Sequence, residues 1–470
     1  MKHSFLFCLI ICIVFSACTS PISSATTYPD LKTAPTTNPF ISQATLVLTH
    51  GTLIDGTGRE PIPDSTLVIE GDQIIAIGPS DQLDIPAGVV VIDLEGAYVL
   101  PGFINAHVHD AYDEKRLQTW AQAGVTTVRD EGIISGPNQL TQMIALRDQL
   151  SSSPEYARLV SSGYMLSVPG GYGQLEVTST TDARKQVVME LDTGVDLIKL
   201  AMESGYAGVT NLPNFSPAEL AAIVTTAHER GKLVSAHITE VKFLQPLINA
   251  GVDDLAHIPN DFVLQELIQQ LVERDIYVVP TLTVFEAYGG LEGSSYNLGK
   301  FVQAGVQIAM GSDYTAFPQN HFDHFELGMP MHEINRMSEA GMTPMQIIVA
   351  STRNAAHVCG LEQELGRLEA GKLADILVLE SNPLKDLSAL TQVKMVIHSG
   401  EIIRRSSENL RHHNQHTMRE STEILPWKYS IYDKMIELPG KLISPAAIHL
   451  YRYYFPVQIM LVIKVNNGPP

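Results

Sequence analysis

The segment PGFINAHVH, Pro101 to His109, ends an apolar run in two histidines two residues apart. Strand side chains alternate between faces, so His107 and His109 point the same way if the run is extended, and two imidazoles on one face can share a metal ion. Alone the pair says little, because a partly buried histidine is more often held by a hydrogen bond to a neighbour. Other polar residues stand at the ends of apolar runs farther along: Lys199 in VDLIKLAM, His237 in KLVSAHIT, His257 in VDDLAHIP and Asp313 in VQIAMGSD. Each has an ordinary structural explanation, as a core histidine, a helix cap or a lysine reaching solvent along its stem. Together, four imidazoles and a carboxylate in one semi-buried site would be costly to leave unpaired, and a divalent ion satisfies them all.

Those runs imply the elements that must position them. From Pro101 to about Ala355 apolar strands alternate with helical segments: YVLPGFINAHVH, GVTTVRD, RLVSSGYML, VDLIKLAM, KLVSAHIT, VDDLAHIP, IYVVPTLT and VQIAMGSD. The clearest helix is SPAELAAIVTTAHERG, where Ser216 can cap the N-terminus, Pro217 suits the first helical position, Glu219 closes a capping box and Gly231 ends the helix. Eight strand–helix units over about 255 residues match a (β/α)8 TIM barrel. A doubly wound open sheet is the alternative, but no Gly-rich fingerprint follows the first strand. In a barrel the chemistry sits at the C-terminal ends of the strands, where these polar residues fall.

Short strands with turn punctuation precede this region, in ATLVLTHGTLIDGTG, STLVIEGDQIIAIGP and GVVVIDLEGAYVLPG, and similar ones follow it in GRLEAGKLADILVL and VKMVIHSGEII. The second set is expected to complete the first. The opening MKHSFLFCLIICIVFSACTS reads as an export signal, with a basic start and an apolar run too short for a comfortable membrane span. FSAC resembles a bacterial lipoprotein cleavage box, with Phe15 where Leu is usual, and places lipidation on Cys18. Cys8 and Cys12 leave with the signal, so Cys359 is left without a disulfide partner. The expected organisation is a signal peptide over 1–18, a disordered tether over 19–42, a discontinuous β-sandwich from 43–100 and 366–404, a hydrolase barrel over 101–365, and a C-terminal extension over 405–470 with no assigned role. A net charge of -20 argues against nucleic acid as a partner, since such surfaces need clustered Lys and Arg.

The motifs GTLIDGTG, LPGFINAHVH, GVTTVRD, DLIKL, SAHI, GVDDLAH, GSD and STRNAAHVCGLEQELGRLEAGKLADILVLESNPL, in this order from about Thr45 to Ile403, resemble the amidohydrolase superfamily in its imidazolonepropionase- and prolidase-like branch. The resemblance implies a metal-dependent hydrolase of C–N bonds with two divalent ions, most often zinc. His107, His109 and Asp313 would hold one ion and His237 and His257 the other. Lys199, carboxylated by carbon dioxide, would bridge them. The ions would share a hydroxide that attacks a polarised carbonyl, with Asp313 passing its proton to the leaving nitrogen. Where this branch often carries Gly-Gly-His-Gly, the chain has GGYG, which makes Tyr172 a candidate substrate contact. His321 and His324 are further candidates, and Asp130 in TVRD reads as a supporting residue. The implied partner is a small molecule or dipeptide, with the membrane met only through a lipid anchor in the cell envelope; a homo-oligomer is compatible. The competing class is an inactive ligand-binding lipoprotein on the same scaffold, against which the full ligand set counts.

Overall fold

A computed structural model describes residues 44–132, 139–206, 208–316 and 324–406. The expected signal peptide, tether, Cys18, His321 and all but the first residues of the C-terminal extension lie outside the described residues.

Segments far apart in sequence share one sheet of eight strands. Its hydrogen-bonded order is Glu401–Arg405, Val393–His398, Ile376–Leu379, Tyr98–Pro101, Leu46–Leu53, Ile62–Glu70 and Gln73–Pro79, with Val90–Asp93 pairing beside Leu46–Leu53. Ile376–Leu379 runs antiparallel to Tyr98–Pro101, and this ladder joins the two halves of the chain. The apolar run around the first histidines is therefore two strands, because its front half belongs to this sheet and its back half, Phe103–Val108, to another.

Phe103–Val108, Val125–Asp130 and Arg158–Ser161 pair in parallel as a three-stranded sheet. A second parallel sheet contains Met165–Ser167, Ile198–Met202, Val234–Ile238, Asp254–Ala256 and Tyr277–Val279. Parallel strands are buried on both faces, and the sequence alternation sorts side chains between two apolar clusters. Ile104, Ala106, Val160, Leu197, Val279 and Ala309 fall in one, while Phe103, Val128, Leu159, Ile198, Leu200 and Val278 fall in the other. Lys199 sits between Ile198 and Leu200, and so shares the face of Leu197.

The eighth expected strand, VQIAMGSD, differs. It forms isolated bridges, Val278 with Ile308 and Val108 with Tyr314, rather than a ladder. Its bonds explain why: Ala309 N donates to Val278 O and Ala106 N to Met310 O, but Met310 N turns away to Ala350 O. On the other side, Asp196 N donates to Ser161 O at 2.8 Å, which ties the two parallel sheets. Among the described residues no continuous ladder closes around these strands.

The helix Pro217–Glu229 forms as its sequence dictates, with the Ser216–Glu219 capping box in both directions, Pro217 in the first turn and Gly231 at φ +66° beyond its end. Cys359 is a buried free thiol. No described helix is long and apolar enough to cross a membrane.

Candidate metal centre

His107 lies in the strand Phe103–Val108, and His109 directly follows it. Their Nε2 atoms are 3.4 Å apart. Asp313, in the irregular eighth segment, brings Oδ1 to 3.3 Å from each of those nitrogens. It is held there by its own N–H, which donates to His107 O at 2.9 Å, and by a left-handed backbone at φ +55°. His257, just beyond Asp254–Ala256, completes a group with His107 and Asp313 whose ligand atoms all lie within 4.8 Å of one another. His237 packs edge-on against His257 with ring centroids 4.6 Å apart.

Bonds behind the imidazoles fix which nitrogen each can offer. His109 Nδ1 lies 3.2 Å from Gly132 O, which can only accept, so this nitrogen carries the proton and Nε2 turns its lone pair toward Asp313. Two acceptors facing each other at 3.3 Å repel unless a proton or a cation lies between them. Burial pulls His109 down, but the Asp313 carboxylate outweighs it and lifts the group to about 9. His107 is fully buried, which pushes it well below the usual histidine range, in the neutral form a metal requires. His257 Nδ1 meets Thr281 Oγ1 at 2.7 Å, leaving Nε2 for the site.

The backbone is strained where these side chains are aimed. His257 at φ +131°, Thr281 at +48° and Asp313 at +55° are non-glycine residues in the left-handed region, at a cost of about 1–3 kcal/mol each. Such strain persists only where surrounding contacts over-determine it. Glu333 supplies some of these contacts, accepting from Leu282 N, Thr283 N and Thr283 Oγ1 at 2.7–2.8 Å directly after Thr281.

Two ring nitrogens and a carboxylate oxygen, 3.3, 3.3 and 3.4 Å from one another, fit a cation in a specific way. The edge of a tetrahedron built on bonds of ~2.1 Å is about 3.4 Å, the arrangement of a zinc ion with His and Asp ligands. The residues therefore suit the metal that the resemblance implies.

Lys199 is 1% exposed and its ammonium contacts Glu131 Oε2. Asp130 is also buried, accepting from Ala111 N at 3.0 Å and Gly132 N at 3.1 Å, and so fixes the loop whose carbonyl orients His109. Burial raises Asp130 to about 7 against the opposing pull of His109. Tyr172 stacks on His237 with centroids 4.5 Å apart and 27° between planes. His324 stands elsewhere, stacked on His332 at 4.3 Å beside Glu286.

Two acids at the site escaped sequence reasoning. Glu131 directly follows TVRD, and Glu203 directly follows the strand Ile198–Met202. Glu203 Oε2 lies 3.3 Å from His237 Nε2 and also accepts from Thr239 Oγ1. Burial raises its pKa, but His237 and these hydrogen bonds prevail and hold it at about 2. The signal that singled out Lys199 and His237, a polar residue at the end of an apolar run, is present at both of these acids.

The sequence matches the amidohydrolase family over residues 98–403, more than half of the chain. This chain belongs to the amidohydrolase family. Among curated relatives, ochratoxinase of Aspergillus niger is 28% identical over 420 residues, covering 75% of this chain and 84% of its own. Imidazolonepropionase of Symbiobacterium thermophilum is 27% identical, covering 68% and 84%. A solved Xaa-Pro dipeptidase with methionine in its active site superposes with a TM-score of 0.66 at 25% identity, over 76% of this chain and 99% of that one. This amidohydrolase is an enzyme, a hydrolase acting on C–N bonds.

Proposed function

We propose that this amidohydrolase is an exported, zinc-dependent enzyme that opens the C–N bond of a small amide, cyclic amide or dipeptide. The observation that carries the reading is the spacing of His107, His109 and Asp313, whose donor atoms stand 3.3–3.4 Å apart as the edges of a tetrahedral ion's first shell. A bound ion supplies Lewis-acid polarisation of a carbonyl and lowers the pKa of water. The rest is the chain's own work. His107, His109 and His257 would offer ring nitrogens to the ion, whose binding would displace the proton that His109 shares with Asp313. Thr281 and Gly132 hold the His257 and His109 rings in place, and the Asp313 carboxylate is placed to take a proton from water and return it to the leaving nitrogen. Tyr172, stacked on His237, walls the side where the substrate would lie.

In this reading the parallel strands form a (β/α)8 barrel, supported by the bonds from Val278 through Ala309 and from Met310 back to Ala106, which link the last strand to the first. The second ion that the resemblance implies, at His237 and His257 with a Lys199 carbamate as bridge, belongs to the same proposal. Substrates of amide type are favoured by relatives that include an ochratoxinase, an imidazolonepropionase and a Xaa-Pro dipeptidase. Export and lipidation at Cys18 rest on the sequence, and an acylated Cys18 in membrane extracts is the expected mass-spectrometric result.

The test is a screen of the zinc-loaded protein against N-acyl amino acids, Xaa-Pro and Xaa-Arg dipeptides and cyclic ureides. Hydrolysis that disappears on chelation and returns with zinc is expected. Binding of these compounds without any turnover by the metal-loaded protein would overturn the reading.

A further inference from the structure

The helix Leu282–Tyr288 starts directly after Thr281, and a threonine at that place ordinarily caps a helix with its own side-chain oxygen. Thr281 does not. A capping residue holds extended backbone so that its side chain folds back onto the first turn, whereas Thr281 stands in the left-handed region at φ +48° and ψ +48° and makes no side-chain bond to the helix. Its Oγ1 lies instead 2.7 Å from Nδ1 of His257, 24 residues back in the chain. A β-branched residue is a poor occupant of this backbone conformation, so something outside the threonine must hold it there.

The first donors of the helix show what does. Leu282 N donates to Glu333 Oε1 at 2.8 Å, and Thr283 N and Thr283 Oγ1 both donate to Glu333 Oε2 at 2.7 Å. Glu333 is fully buried and comes from another helix, Met331–Glu339. Burying a carboxylate is costly, and burial lifts its pKa to about 7 against these bonds, yet it takes over donors that the Thr281 hydroxyl could have served. One turn on, the same two helices meet again. Glu286 accepts from Arg336 Nη2 at Oε1 and from Arg336 Nε at Oε2, where His332 Nε2 also stands, all at 2.6–2.7 Å. Met331–Glu339 thus grips Leu282–Tyr288 at two points, and the first borders Thr281.

We infer that Glu333 is a positioning residue of the metal centre: by capping Leu282–Tyr288 from outside, it frees the Thr281 hydroxyl to hold His257 Nδ1 and so aims Nε2 at the site. Without the carboxylate two buried backbone donors lose their acceptor, a loss of the kind that native proteins avoid. The nearest repair is for Thr281 to return to extended backbone and cap the helix itself, which takes its oxygen away from His257. Glu333 therefore acts on the centre through Thr281. The inference deepens the metal-hydrolase reading and rests on it.

The test titrates the metal-free full chain with cobalt(II) against a chromophoric chelator and records the visible d–d bands of the bound ion. Glu333→Gln keeps one acceptor oxygen but sets an N–H group against the helix donors. It should bind cobalt roughly 10–100-fold more weakly than the wild type, with shifted bands, the loss typical of a displaced outer support. Thr281→Val, which removes the hydroxyl and nearly keeps the shape, should weaken binding by a similar factor. The double variant should lose no more than Thr281→Val alone, because the two residues act in series. Additive losses, or wild-type affinity and bands in Glu333→Gln, overturn the inference and leave the hydrolase reading standing. A wild-type chain that binds no cobalt overturns both. Wild-type affinity in Thr281→Val also overturns the inference, so a Glu333→Gln chain that fails to fold does not shield it.

Discussion

Asp313 is the residue on which the chemistry turns, since its Oδ1 is shared by both Nε2 atoms of the first histidine pair. Asp313→Asn keeps the shape and one oxygen but cannot accept a proton. Turnover should fall by ~10²–10⁴-fold while the melting temperature stays near that of the wild type. Activity within a few fold would remove Asp313 from proton transfer and point to another acid at the site, with Glu203 the first to examine. His107, His109, His257 and Asp313 are legible in sequence because each ends an apolar run, and burial at a strand end leaves few uses for a metal-binding side chain. Glu131 and Glu203 are not. Each stands one residue past its apolar run, and the partners that mark them, Lys199 and His237, come from other strands 68 and 34 residues away.

Among the elements, the eighth segment departs furthest from its expected form, and Gly311 is the reason it can come so close to the first strand. A Cβ at this position would stand 2.7 Å from His107 Cβ, 2.9 Å from His107 N and 2.5 Å from a Val279 methyl. Backbone cannot yield there cheaply, so Gly311→Ala should push the segment outward and widen the gap between Asp313 and the histidines. The expected result is a soluble protein whose zinc affinity falls roughly 10–100-fold, as when the supports of metal ligands are disturbed. Unchanged affinity would mean that the donor spacing does not depend on this close approach. Apolar alternation marked the segment as a strand, yet it carries no information about where Met310 N sends its hydrogen bond. The helix Pro217–Glu229, by contrast, was legible to its ends because its capping signals are local. A second element offers a pH test remote from the site. Glu190, in the helix Thr180–Thr193, is fully buried, and burial raises its pKa well above the usual value despite the bond from Tyr164 N at 2.7 Å. A carboxyl raised in the folded state favours folding at low pH, and that contribution is lost as pH rises through the folded value. Glu190→Gln does not titrate, so its melting temperature should exceed that of the wild type by more at pH 8 than at pH 5. A gap that shrinks with pH would contradict this.

For the whole molecule, the sheet that joins residues 46–101 with 376–405 was visible as two β-rich stretches of similar character, but their antiparallel meeting at Ile376–Leu379 and Tyr98–Pro101 is a long-range pairing that no local pattern encodes. That sheet anchors both ends of the intervening strand–helix region, which carries every donor of the proposed centre. The region's function depends on a cation binding where those donors converge, and on no other described group serving in their place. The competing group is Glu286, His324 and His332, whose donor atoms also lie within 4.8 Å of one another. There the two imidazoles are stacked only 8° from parallel, so their lone pairs do not converge, and Arg336 already occupies both oxygens of Glu286. Anomalous diffraction at the zinc edge from crystals of the zinc-loaded protein separates the alternatives directly. The account predicts a peak within about 2.3 Å of His107 Nε2, His109 Nε2 and Asp313 Oδ1. A map with no peak among these three atoms, or with its only peak beside Glu286 and His332, would contradict it.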